Sequence, residues 1–455
     1  MDKMGYILFH GMKCVFYEDK NELRLINADK DSPENIIKYH DDRDFELSYS
    51  TTSHKHCTAY ISKIAMDFDY TLRLFPYYIV KKLNDSAVSK IEIIGDAIDA
   101  FFSPSRYFYE KKHKGDKIGN LVYDKETADE WEISFEGVEI RVALSYGGIL
   151  KRGIASDLML HPKIEINFPP TYDTKFIYRL YLLVVHFLQI VRAKTAQGLF
   201  SISLYNESNS HIGYLLDYTA EQSPYAKQCE LDLNYTNYKP FISRFLQFAA
   251  DNFNMSLRHL PVNYKRINKD DYTAIDYILI YSAFEGECHA EKELYEIADI
   301  TRIERIRDII ITNIEACKSL STSQEERDFV ADAIQRTKQQ GTSFGQKSKI
   351  VNAYKILAPA LESSIENILY LDKYKGILSN DEIGKIAKEL SSLRGKIAHG
   401  DFSIELSEEE AQYLRFLEIL TYAQLLKRVG CSDKEIEYII GIVFMCNFEH
   451  QKNLT

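Results

Sequence analysis

The sequence predicts an α+β chain in which a β-rich N-terminal module precedes an all-α helical bundle. Two observations carry this reading. Upstream of Pro261, short β-prone runs are separated by polar turns, whereas downstream of Asp271 apolar residues recur at three- and four-residue steps with no strand signal. Between them, Pro261 to Asp271 is rich in Asn, Lys, Arg and Asp, the composition of a domain boundary. The organisation expected is a β-rich module over 1–170, an α/β continuation over 171–262 and a helical domain over 271–455. At 455 residues the chain has ample length for more than one core.

In the first module, Tyr6–Phe9, Lys13–Tyr17, Leu23–Ile26, Ala59–Ile61, Ile91–Ile94 and Val138–Val142 are the strand candidates, rich in Ile, Val, Tyr and Phe. Gly95 to Ser103 reads as one apolar turn of helix stopped by Pro104. A long helix over 174–195, strands Phe200–Leu204 and Gly213–Leu216, and a helix after Pro240 make up the continuation. Phe176 to Val191 is the one membrane-like stretch. It falls short of the roughly 20 residues a spanning helix needs and carries Arg179, His186 and Gln189, so it reads as a core helix. Met1–Gly5 lacks the apolar run of a signal peptide. The seven cysteines are scattered, odd in number and without a C-x-x-C pair, which fits a reducing cytosol rather than a disulfide framework. A cytoplasmic chain with no membrane partner is expected.

Helical periodicity then runs almost to the C-terminus. Tyr272 to Glu287 is the first helix; Ile303, Ile306, Ile310 and Ile314 form the stripe of a second, and Ser323–Glu326 opens a third. Gln346 to Tyr370, bent at Pro359, follows. Ser379-Asn380-Asp381-Glu382 and Ser407-Glu408-Glu409-Glu410 are capping boxes opening two more, and Ser432 to Met445 forms the last.

The helix after Ser379 contains the anomaly. Ile383, Ile386, Ala387, Leu390, Leu393 and Ile397 define its apolar face, and at about 100° per residue Arg394 falls near the centre of that face. A guanidinium there needs a partner or a wet cleft. Gly400 can take the left-handed C-terminal position, which leaves His399 in the last turn beside unpaired carbonyls, where the helix dipole favours a proton on the ring. Arg394 and His399 with Lys396 between them make an anion-handling set, phosphate being the obvious anion.

Arg394, four intervening residues, then His399-Gly400, late in a helical domain, resembles the signature of HEPN-domain ribonucleases. The chain is most similar to the Apea-like group, in which a long N-terminal domain precedes the HEPN domain. Glu285, at the end of the run Tyr277–Phe284, also resembles an acidic position in the first HEPN helix. The resemblance implies that 271–455 is a HEPN-like bundle. It further implies a metal-independent endoribonuclease of anti-phage defence acting by abortive infection, and a homodimer or higher homo-oligomer that pairs two copies of the motif in one composite site. Arg394 and His399 would be catalytic, Glu285 and Lys396 supporting, with no cofactor and no metal. The partners implied are an RNA substrate, tRNA or mRNA, and a phage-derived trigger sensed through the N-terminal module. The chemistry agrees: cleavage without a metal needs a base for the ribose 2′-OH, an acid for the leaving 5′-oxygen and a fixed cation for the phosphorane.

The competing reading is a non-catalytic HEPN-type binding or sensor protein in which the Arg–His pair is structural; Gly395 stands where family members often carry a polar residue. A net charge of −11 is the wrong sign for a general nucleic-acid binder, so any RNA contact is local. His54-Lys55-His56-Cys57 has metal-ligand spacing on a strand, but no second ligand pair stands nearby, and Cys288-His289 is no better. Gln339 to Lys347 lacks both the spacing and the preceding strand of a phosphate loop and reads as a helix connection.

Overall fold

The computed structural model describes residues 4–19, 22–29, 36, 39, 42–53, 55–67, 70–103, 126–150, 158–192, 198–219, 235–252, 272–295, 300–339, 346–362, 365, 369, 377–398 and 406–444. The chain divides into two compact units, Met1–Met255 and Ser256–Thr455. The expected boundary, Pro261 to Asp271, lies outside the described residues.

Twelve strands of the first unit form one antiparallel sheet: β1 (Met4–Phe9), β2 (Met12–Asp19), β3 (Glu22–Asn27), β4 (Phe45–Thr51), β5 (His56–Met66), β6 (Leu72–Lys82), β7 (Val88–Gly95), β8 (Glu126–Phe135), β9 (Val138–Leu150), β10 (Leu158–Thr171), β11 (Phe200–Tyr205) and β12 (His211–Asp217). Their order is β3-β2-β1-β4-β5-β6-β12-β11-β7-β10-β9-β8, with β3 also paired to β6. The extra pairing closes β1 to β6 into a barrel, and β6 hands the sheet on. Its first residues, Leu72 to Leu74, pair with β3, and Tyr78 to Lys82 pair with β12 on the same edge. Pro76, which cannot donate to a ladder, falls in the gap where that edge changes partner, so its missing N–H costs no bond there. β11 and β12 sit in the middle of the sheet, so the 171–262 continuation shares its sheet with the strands before it.

Alternation places the barrel core. On β1, Ile7 and Phe9 point in while Tyr6 and Leu8 stay exposed, and with Phe16, Leu25, Leu47, Tyr49, Ala59 and Leu74 they fill the interior. Gly5 marks a close approach: a Cβ there would lie 2.4 Å from the Ser50 carbonyl oxygen and 2.6 Å from the Phe16 ring. At the closing seam Arg24 and Arg73 are directly opposed, and Glu22 accepts from both, 2.5 Å from Arg24 Nε and 2.7 Å from Arg73 Nε.

The open half of the sheet packs its Ile91, Ile93, Ile166 and Ile202 face with helices α1 (Asp96–Phe101), α2 (Thr174–Arg192) and α4 (Ile242–Asp251); α3 (Tyr235–Tyr238) is a single turn. α2 is the one described helix long and apolar enough to cross a membrane, and it is two-thirds buried within the fold.

The second unit is helical: α5 (Ala274–Ala290), α6 (Lys292–Tyr295), α7 (Ile300–Lys318), α8 (Gln324–Gln339), α9 (Gln346–Leu361), α10 (Asn380–Ala398), α11 (Glu408–Arg428) and α12 (Asp433–Val443). Capping boxes open α5, α11 and α12, through Thr273–Asp276, Ser407–Glu410 and Ser432–Glu435. α11 is the central helix: every residue from Ala411 to Leu426 is buried, and α5, α9, α10 and α12 pack around it. The apolar stripe expected on α7 is partly covered at Ile314, which is half-buried, and the Ile303 side chain lies outside the described residues. Ile306 and Ile310 are exposed, because α7 packs on α8 through its adjacent face and neither helix packs on a third described element to a comparable extent.

Candidate functional site

α10 begins as its sequence dictates. The Ser379 N–H donates to Glu382 Oε2 at 2.7 Å and the Glu382 N–H donates to Ser379 Oγ at 3.3 Å; the Ser379 hydroxyl and amide beside it hold the Glu382 carboxyl below the ordinary range. Ile383, Ile386, Ala387, Leu390, Leu393 and Ile397 are all buried. Arg394 is not. Its side chain is 42% exposed, so the burial suggested by its place on the stripe does not extend to the guanidinium. The long aliphatic stem carries the charged head off the apolar face to its rim, which avoids the cost of burying it.

What receives the head is a line of side chains on α5 at four-residue steps, Tyr277, Tyr281 and Glu285. The Tyr277 hydroxyl donates to the Leu390 carbonyl, tying α5 to α10 one turn before Arg394. The Arg394 guanidinium lies over the Tyr281 ring, 5.4 Å from its centroid. Its Nη2 stands 3.2 Å from Glu285 Oε1 and 3.4 Å from Oε2. Ring below and carboxylate at one edge fix the plane of the guanidinium. Among the described residues the carboxylate meets the guanidinium through Nη2, and the side chain remains 42% exposed. Burial pushes the Tyr281 hydroxyl up to about 12 and that of Tyr277 higher still, so both are neutral scaffolds rather than proton-transfer groups.

The structure thus brings Arg394 and Glu285 together. Lys396 is exposed on the same helix, two residues on. His399 and Gly400 lie outside the described residues. A Cβ at Gly395 would meet nothing within 4 Å, so neither packing nor backbone crowding requires glycine there.

No family model, no curated protein and no solved structure matches the chain.

Two polar networks went unremarked in the sequence. Two residues beyond Glu285, Glu287 turns into the bundle and accepts from Arg428 at 3.0 Å (Nε) and 2.8 Å (Nη2), the side chains 4% and 9% exposed. Burial pushes the Glu287 carboxyl up to about 7, with Arg428 pulling the other way. Along α11 the buried polar residues Arg415, Glu418 and Gln424 reach the Phe444 carbonyl, the Tyr272 hydroxyl and the Cys288 thiol. Each side chain has a partner within the bundle, although Gln424 Oε1 is buried without a hydrogen bond among the described residues.

The other lies on the sheet. β7 and β10 both carry the tetrapeptide Lys-Ile-Glu-Ile, at 90–93 and 163–166. Their antiparallel register sets Glu92 directly opposite Glu165. Like charges in that position are destabilising, and each strand's lysine answers diagonally: Lys163 Nζ is 3.0 Å from Glu92, and Lys90 Nζ is 3.9 Å from Glu165, which also accepts from Ser145 Oγ at 2.7 Å. The repeated tetrapeptide was the available signal. Further along β10, His161 Nδ1 is 3.0 Å from Asp99 Oδ2. Glu92 and Glu165 each have a lysine, so the ladder is neutralised internally. Among the described residues no group of three or more His, Cys, Asp or Glu is arranged to hold a metal. In the His54-Lys55-His56-Cys57 stretch, His54 lies outside the described residues, and burial pushes the Cys57 thiol up to about 12.

Proposed function

We propose that the chain is a metal-independent endoribonuclease of the HEPN type, acting in the cytoplasm in anti-phage defence by abortive infection, with the N-terminal unit sensing a phage-derived trigger. The observation that supports the reading best is the held guanidinium: Arg394 lies over Tyr281 and against Glu285, with its side chain 42% exposed. A fixed cation of that kind suits a phosphate whose charge grows during reaction. In the reaction the 2′-oxygen attacks the adjacent phosphorus as a base removes its proton. The bond from phosphorus to the 5′-oxygen then breaks, an acid protonates the leaving oxygen, and a 2′,3′-cyclic phosphate remains. His399, five residues beyond Arg394, takes the acid/base role. One imidazole does not serve comfortably as base and acid at once, so two copies of the motif across a two-fold axis form the working site of a homodimer. Lys396 adds positive charge near the RNA in an otherwise acidic chain.

A second reading has a specific observation in its favour: Arg394 already has a carboxylate partner, as a purely structural arginine would. The two separate in one experiment. Full-length protein is incubated with total RNA in EDTA and the new ends are analysed. The enzyme reading expects cleavage with 2′,3′-cyclic phosphate ends, abolished by Arg394→Ala and by His399→Ala. Cleavage unchanged in either variant refutes the assignment, and activity that requires magnesium refutes the metal-free chemistry.

A further inference from the structure

Two glutamate–arginine pairs stand on opposite sides of α5, and they differ in grip. Glu287, turned into the bundle, meets two nitrogens of Arg428 at 2.8 and 3.0 Å, with both side chains buried. Glu285, on the outer side, meets Arg394 through Nη2 at 3.2 and 3.4 Å, and both side chains are partly open to water. A strong charge-assisted bond is about 2.7–2.9 Å long, and an arginine fork makes two of them in parallel. By that measure the outer pair is loose. A pair so exposed gains little over its hydration, so another anion can exchange for the carboxylate.

What does not exchange is the platform. Tyr281 is 2% exposed, its ring lies beneath the guanidinium, and the Tyr277 hydroxyl ties α5 to α10 one turn before Arg394. Swapping the anion at the edge of the guanidinium leaves this stack in place, so the exchange needs no repacking. A carboxylate and a phosphodiester present the same feature to a guanidinium, two anionic oxygens on one atom. Arg394 therefore offers an incoming RNA backbone a cation that is already oriented and already occupied.

We infer that Glu285 is a resident competitor for the backbone phosphate of RNA, holding the Arg394 guanidinium while the site is empty and leaving Nη2 when a phosphodiester binds. The inference rests on the reading of Arg394 as the phosphate-facing group. Pairing lowers the fraction of sites ready for phosphate, which raises the apparent dissociation constant in the same proportion. This fixes the sign of what Glu285 contributes. A carboxylate that only supports the arginine strengthens RNA binding, whereas one that competes weakens it.

Binding of a fluorescent 2′-O-methyl RNA oligonucleotide to the full-length protein tests this, because the probe keeps the phosphates and lacks the free 2′-hydroxyl that cleavage needs. Glu285→Gln removes the competing charge. Glu285→Asp keeps the charge but draws it back from Nη2 by one methylene. Both are expected to bind the probe about 1.4- to 5-fold tighter than wild type, the range set by a partly exposed ion pair, with unchanged circular dichroism. Beside Arg394→Ala, Glu285→Asp is expected to change nothing. Tightening by Glu285→Gln with Glu285→Asp at the wild-type value reports only the loss of one negative charge and overturns the inference. Equal or weaker binding by both variants overturns it too, as does a probe that none of the proteins binds or a gain from Glu285→Asp that persists beside Arg394→Ala. The ribonuclease reading fails separately. If both variants bind tighter while ordinary RNA stays intact, the competitor stands and the enzyme assignment falls; if ordinary RNA is cleaved through Arg394 while the probe binds wild type and both variants alike, the assignment stands and the competitor falls.

Discussion

Replacing Arg394 with alanine separates a functional arginine from a structural one, because the geometry limits what the change can cost in stability. The pair with Glu285 is 42% and 29% exposed, a setting in which ion pairs contribute about 0.2–1 kcal/mol. The contact with Tyr281 is a cation–π interaction at a partly exposed site, adding about 0.5–1 kcal/mol. The expected loss is therefore about 1 kcal/mol and below about 2, which for a helical unit spanning Ser256–Thr455 corresponds to roughly 2–4 °C per kcal/mol. Arg428→Ala is the internal comparison. That side chain is 9% exposed and meets Glu287 through two nitrogens, and breaking a buried pair from one side costs about 3–5 kcal/mol, or roughly 6–20 °C. Activity should run the other way. Removing a preorganised cation from a developing oxyanion costs about 10²–10³ in rate. Arg394→Ala is thus expected to melt within a few degrees of wild type and lose cleavage of end-labelled RNA, and Arg428→Ala to lose melting temperature out of proportion to any loss per folded molecule. Thermal unfolding followed at 222 nm, beside cleavage assayed well below the melting temperature, gives both numbers. An Arg394→Ala protein as destabilised as Arg428→Ala, or one that cleaves RNA normally, would refute the reasoning.

Two further outcomes follow from the same helices. Since burial raises the Glu287 carboxyl to about 7 from about 4.5 in the unfolded chain, the native state binds the extra proton between those values. Its stability should therefore be fully present below pH ~4.5 and fall as pH rises through ~7; urea titrations of wild type and Glu287→Gln across that window should show the slope shrinking in the variant, and identical slopes would count against it. Gly395→Ala is expected to stabilise the protein by about 0.5–1 kcal/mol, because glycine is unfavourable inside a helix and a Cβ there meets nothing within 4 Å. A drop in melting temperature would mean that the open space beside Gly395 is occupied in solution.

Much of this molecule is legible in its sequence. The succession from strands to helices, the capping boxes at Ser379 and Ser407, and the buried stripe of α10 follow from spacing alone, because local hydrogen bonding and side-chain periodicity specify them. The pairing of Arg394 with a carboxylate could also be anticipated, since a cation on an apolar face demands a partner.

Tertiary structure decided the rest. β4, β6, β8 and β10 carry weak signals on their own: β6 contains Pro76, β10 contains Pro162, Pro169 and Pro170, and β8 opens on Glu-Thr-Ala-Asp-Glu. Each becomes a strand because its neighbours supply a ladder, and pairing partners far apart in the chain leave no local trace. Barrel closure is of the same kind, since it depends on β3 meeting β6 and on Glu22 sitting between two opposed arginines. The sequence marks Arg394 as out of place, but only the packing of α5 against α10 shows its head half-exposed on Tyr281 and Glu285 rather than buried. Likewise Ile306 and Ile310 of α7 lie on a stripe that reads as core until the structure leaves them in water. A helical stripe states that a face is apolar, and periodicity is silent on what covers it, because burial belongs to the pair of surfaces and not to either one.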